Sequence, residues 1–106
     1  MKECGKNFSQ IYELKPGKIY KIFIDVEKLK KLSEYGPFDY VKKCYSDPND
    51  FTLDTRFISE NSDNGIIFVV GKINTKLSKR YKFICLDGKI GYDDFKEAVY
   101  KIFELE

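Results

Sequence analysis

Histidine and tryptophan are absent from the 106 residues, methionine occurs once, and proline three times. Without histidine the commonest general base near neutral pH is missing, and with it every Ser-His and Cys-His nucleophile arrangement. Cysteine is sparse: Cys4, Cys44 and Cys85 stand far apart and include no C-x-x-C pair. Such a set does not make a disulfide framework or a zinc or redox motif, and it fits a reducing, cytosolic compartment. No apolar run approaches membrane-spanning length, and the start, Met-Lys-Glu-Cys-Gly-Lys, lacks the apolar core of a signal peptide. Charge of either sign is not in excess either. Nineteen basic and seventeen acidic residues leave a formal charge of +2. That near-balance gives no strong field toward nucleic acid or acidic lipid and excludes the acidic surface of a DNA mimic.

Aromatic residues are plentiful instead, with nine Phe and eight Tyr. Each buried ring removes a large area from water, so a single small domain over residues 1–106 can stabilise itself without staples. Residues 1–7 read as a frayed terminus. The sequence Lys15-Pro16-Gly17-Lys18 fits a type II turn, which makes residues 8–25 a hairpin with its second strand at 18–25. Asp25 then caps a helix over 26–35, where Val26, Leu29, Leu32 and Tyr35 share one side. Gly36-Pro37 interrupts it, and a second helix is expected over 38–45, followed by a polar loop at 46–50. A meander of strands follows at 51–57, 66–73 and 80–86, with a hairpin loop at 60–65. Asp87-Gly88 suits a two-residue type I′ turn into a short strand at 89–92. The spacing of Phe95, Ala98, Val99, Ile102, Phe103 and Leu105 predicts a closing helix over 93–105. The expected fold class is therefore α+β, in ββααβββα order. Its small antiparallel or mixed sheet of about five strands would carry helices packed against it.

Motifs for chemistry are thin. The glycines form neither a phosphate-binding loop nor a dinucleotide fingerprint. Asp47, Asn49 and Asp50 do not follow the spacing of a calcium loop, so no metal and no cofactor is expected. The carboxylate pairs Asp93–Asp94 and Asp47–Asp50 are read as a helix cap and a solvated loop. Lys-rich stretches are locally neutralised at helical spacing: Glu27 with Lys30 and Lys31, Lys30 with Glu34, Asp39 with Lys42 and Lys43, and Glu97 with Lys101. One basic cluster, Lys76, Lys79, Arg80 and Lys82, lacks adjacent acids.

Two strands carry more apolar side chains than a one-sided sheet needs. Ile66, Phe68 and Val70 oppose Ile67, Val69 and Ile73, while Tyr20, Ile22 and Ile24 oppose Ile19 and Phe23. Either the helices divide over both faces, or the sheet curls around itself, or another chain completes one face. The profile is compatible with small phage or mobile-element inhibitors and with antitoxin- or immunity-like proteins. It points to a non-enzymatic protein-binding module that occludes a larger partner, in the cytoplasm of the cell or of a phage host. Tyr35, Tyr40, Tyr45 and Tyr100 are the candidate contact residues. A homo-oligomer is the other way to cover an apolar face. The alternatives are a nucleic-acid-binding accessory protein using Lys76, Lys79, Arg80 and Lys82, and a small nucleotide-binding scavenger.

Overall fold

The computed structural model describes residues 2–4, 13–25, 42–49, 51–59, 62–74, 79–95 and 100–105, with backbone alone at 2–4, 42 and 100. Among these residues there is no helix. Eight strands run β1 (Lys2–Cys4), β2 (Ile19–Ile24), β3 (Lys42–Tyr45), β4 (Leu53–Ile58), β5 (Asn64–Asn74), β6 (Lys79–Cys85), β7 (Ile90–Asp93) and β8 (Tyr100–Leu105). They form one sheet in the order β1-β8-β2-β5-β6-β7-β3-β4. Every neighbouring pair is antiparallel.

The α+β expectation is thus overturned: the described part of the chain is all-β. The closing helix predicted over 93–105 is replaced by the end of β7 and by β8. The stripe that suggested it also fits a strand with apolar residues on both faces. Ile102 is buried on the inner face, while Phe103 on the outer face meets Phe23 edge to face at 5.5 Å. Short apolar runs do not separate these two cases, and β8 lies between β1 and β2, where both its edges are paired. Of the helix predicted over 38–45, the described part, Lys42–Tyr45, is strand β3, held between β4 and β7. The helix over 26–35 lies outside the described residues. Glu97 of the expected pair Glu97–Lys101 lies outside the described residues; Lys101 itself reaches Asp25, just after β2, at 3.9 Å.

Hairpin expectations change in partner more than in position. The Pro16-Gly17 turn is present, with Gly17 at φ 81°. However, the neighbours of β2 are β5 and β8, not a strand before it. The turn docks on β5 instead, where Gly17 N donates to Val69 O at 2.8 Å and Val69 N to Lys18 O at 3.0 Å. Two buried phenols tie down the approach: Tyr81 accepts from Leu14 N at 3.1 Å and Tyr20 from Lys15 N at 2.7 Å. At the β6–β7 turn, Gly88 N donates to Cys85 O and Cys85 N to Lys89 O, both at 2.9 Å. Only Gly88 of Leu86-Asp87-Gly88 has a positive φ. This is a three-residue loop, a turn followed by a left-handed glycine, rather than the two-residue I′ turn. Lys2–Cys4, within the stretch expected to fray, pairs with β8.

The sheet is curled rather than flat. In a flat sheet β4 and β6 would lie about 14 Å apart, three strand spacings. Yet the Phe57 ring on β4 meets Phe83 on β6 at 5.7 Å, and both touch Phe95, at 5.6 and 5.5 Å. Around them the core is built from alternate residues of each strand: Tyr20, Ile22 and Ile24; Ile67 and Val69; Tyr81, Phe83 and Cys85; and Ile102. Phe95, expected on a helix stripe, follows β7 in the left-handed region at φ 53°, which turns its ring into this cluster. A bulky residue there costs on the order of 1–2 kcal/mol, which the burial of a whole phenyl ring, about 1.5–3 kcal/mol, offsets.

Where β4 folds back it touches β5. A side chain on Gly65 would overlap the carbonyl of Phe57, so only glycine lets the two backbones approach this closely. Gly65→Ala is expected to destabilise the fold by about 3 kcal/mol or more, since backbone on both sides leaves little room to relax. Denaturant unfolding checks this, with Gly71→Ala, whose site is open, as the mild control.

Candidate functional site

Alternation divides each strand into a face toward the core and a face away from it. The outward face of the middle strands is where the structure departs most from an ordinary solvated sheet. Leu105 on β8 pairs with Ile19 on β2, Ile19 with Phe68 on β5, Phe68 with Ile84 on β6, and Ile84 with Ile90 on β7. The register therefore sets five apolar side chains side by side across five adjacent strands. Ile19, Phe68, Ile84 and Ile90 remain 43%, 40%, 36% and 45% exposed. At about 4.8 Å per strand the row is roughly 19 Å long. Phe103 and Ile66 extend it on one side and Val70 and Tyr92 on the other, by register and alternation.

Two cations flank the row on opposite sides. Lys21 lies beyond Ile19 on β2, paired with Phe103 and Ile66, and its Nζ sits 5.1 Å from the Phe23 ring. Lys82 lies before Ile84 on β6, paired with Tyr92. Because β2 and β6 run the same way, these positions fall on opposite sides of the apolar row. Among the described residues of this patch there is no carboxylate.

Arg80 marks the end of the patch. It is 1% exposed, with its guanidinium carbon 3.7 Å from the centre of the Tyr45 ring and 5.3 Å from that of Phe51. Its Nη1 donates to the carbonyls of Pro48 at 3.0 Å and Asp47 at 3.3 Å. The 46–49 loop is thereby pinned over the sheet, and Asp47 tightens it by accepting from Asn49 N at 2.8 Å. Stacking on a ring while donating to carbonyls is what a planar guanidinium does and an ammonium does not.

The residues singled out from the sequence are scattered by this geometry. Of the basic cluster, Lys79 is exposed, Arg80 is buried in its aromatic cage, and Lys76 lies outside the described residues. Lys79 and Lys82 stand on opposite faces of β6 by alternation. Phosphate binding by Arg80 would have to displace the contacts that hold the 46–49 loop. Of the tyrosines, Tyr45 is half-buried beneath Arg80, Tyr100 falls in β8, and Tyr35 and Tyr40 lie outside the described residues. Asp93, read as a helix cap, is buried at the end of β7 and accepts from Asp94 N at 2.9 Å. The apolar row was visible in the sequence only as surplus hydrophobicity in β2 and β5. Its alignment depends on register, which single strands do not disclose.

Two other features could carry chemistry. A cleft of about 610 Å³ opens where β4 meets the β6–β7 turn, lined by Arg56, Phe57, Ser59, Asn64, Ile66, Leu86 and the paired Asp87 and Lys89, whose charged atoms lie 4.0 Å apart. Its wall is mixed in character. Among the described residues no three His, Cys, Asp or Glu side chains converge to hold a metal. The second feature is the pair of buried thiols, Cys44 and Cys85, neither of them in a disulfide. Cys44 donates to the Thr55 carbonyl at 3.1 Å. Its hydrogen bond with Cys85, followed by burial, pushes its thiol well above the ordinary value of 9.0. The same hydrogen bond draws Cys85 downward against its own burial.

Reactive cysteines need thiolate character and access, and Cys44 has neither. It is expected to resist alkylation at neutral pH until the protein unfolds, as mass spectrometry of labelled peptides would show. Above about pH 9 the unfolded chain releases this proton and the folded chain keeps it, so stability falls as pH rises, by up to about 1.4 kcal/mol per unit. The downward shift at Cys85 acts below about pH 9, where the folded chain releases its proton first, and adds no slope above it. Melting temperature against pH should therefore fall less steeply above pH 9 in Cys44→Ala than in the unaltered chain.

No protein-family model matches the chain, and no curated protein or solved structure matches it either.

Proposed function

We propose that this chain is a non-enzymatic protein-binding module, acting as a small inhibitor that occludes a larger partner, and that it contacts that partner through the outward face of its sheet. The observation that carries the reading is the cross-strand row Leu105, Ile19, Phe68, Ile84 and Ile90. Four of its members keep a third or more of their surface in water. Contiguous apolar surface of this kind is costly to leave wet and marks interaction sites, whereas isolated exposed apolar residues do not. Curvature supports the reading too. The sheet buries its concave side on its own core, which leaves the convex side to meet another molecule. We place the module in the cytoplasm, where Cys44 and Cys85 stay reduced; among the described residues, no helix is long and apolar enough to cross a membrane.

The test is capture from a lysate of the source organism with the unaltered chain and with Phe68→Asp and Ile84→Asp. A stoichiometric protein partner is expected on the unaltered chain. Each variant should weaken it by about 2 kcal/mol or more, the scale of a central contact, while melting within a few degrees of the parent. Absence of any stoichiometric partner, or full retention by both variants, overturns the proposal.

A further inference from the structure

Resting on the binding reading above, we infer that the partner presents an amphipathic helix with carboxylates on both flanks of its apolar stripe, and that this helix lies along β5. A sheet face that is apolar on its outer side is covered in stable architectures by a second layer, and a helix laid along the strands is a common one. β5 is the longest strand and the middle of the five that form the row, with Ile66, Phe68 and Val70 on its outward side. Ile19 and Ile84 flank Phe68 from the two neighbouring strands. An apolar stripe of about three helical turns matches the stretch from Ile66 to Val70 with its neighbours on either side.

Charge then selects among occupants. Lys21 stands on the β2 flank beside Ile66, and Lys82 on the β6 flank, opposite Gly71 and next to Val70. A helix along β5 has one ammonium on each side, at opposite ends. Asp25, the carboxylate that follows Phe23 on this face by alternation, is already engaged by Lys101 at 3.9 Å. A second copy docking face to face would bring the same excess of lysine to the interface, and like net charge on both sides disfavours that pairing. Glu or Asp on both flanks of an apolar helix would answer both cations. Each ammonium is carried on a partly covered stem, which strengthens its field above that of a fully solvated lysine.

The experiment uses two synthetic peptides of about fifteen residues, sharing one leucine stripe and differing only in flanks of Glu or of Lys. Binding to the full chain is read by fluorescence anisotropy, with sedimentation equilibrium of the free chain alongside. The Glu-flanked peptide is expected to bind about tenfold or more tightly than its Lys-flanked counterpart. That preference should fall steeply at about 0.5 M salt and reverse in Lys21→Glu/Lys82→Glu, while Phe68→Asp removes binding of both peptides. Equal binding of the two peptides, lost in Phe68→Asp, overturns the carboxylate inference and leaves the binding face standing. If neither peptide binds while a lysate partner is still captured through Phe68, the helix inference fails alone. A free chain that dimerises through this face, with Phe68→Asp restoring the monomer, overturns the inference in favour of a second copy.

Discussion

Phe57, Phe83 and Phe95 meet in the middle of the molecule, and their meeting requires β4 to fold back across the sheet of which it is the last strand. Much else follows from that contact. Gly65 must lack a side chain because the returning β4 passes against it. Phe95 must take a left-handed backbone because its ring has to reach the cluster directly from the end of β7. The sheet must coil, and coiling gives it a filled concave side and an open convex side. A ring triad of this kind contributes beyond its buried area through edge-to-face electrostatics. Its larger effect is geometric, since it holds β4, the end of the sheet's order, against β6 and the end of β7 in one core.

That geometry explains which parts of the fold could be read in advance. Expected strands at 18–25, 66–73 and 80–86 correspond closely to β2, β5 and β6. Each is rich in β-branched and aromatic residues and bounded by turn chemistry. The strand expected at 51–57 appears as β4, shifted to Leu53–Ile58, with Thr55 and Phe57 inward as the alternation required. The misreadings at 38–45 and 93–105 share one cause. Strands that need apolar residues on both faces lose their two-residue period, and what remains imitates a helical stripe. Tyr45 and Cys44 show this on β3: one lies under Arg80 on the outer face, the other in the core. Pairing was less legible still. β2 carries a turn before it, yet its partners come from the middle and the end of the chain.

The candidate site was half visible for the same reason. Surplus hydrophobicity in β2 and β5 announced a second apolar face, but Ile84, Ile90 and Leu105 join it only through register. Arg80 illustrates the reverse error. In sequence it leads a basic cluster with no neighbouring acids. In the fold its Nη1 is taken by the carbonyls of Asp47 and Pro48, more than thirty residues away, and its guanidinium lies over the rings of Tyr45 and Phe51.

β8 is the last strand in chain order, yet it sits between β1 and β2, the first two. During synthesis, therefore, one edge of β2 has no permanent neighbour until residues 100–105 have emerged. Until then an apolar strand stands beside an open hydrogen-bonding edge, the combination most prone to mispairing with other chains. Assembly of such a topology is slow, because its pairings join distant parts of the chain and closing the loops between them costs entropy before any contact repays it. The cell making this protein therefore carries an aggregation risk that closes only when β8 arrives.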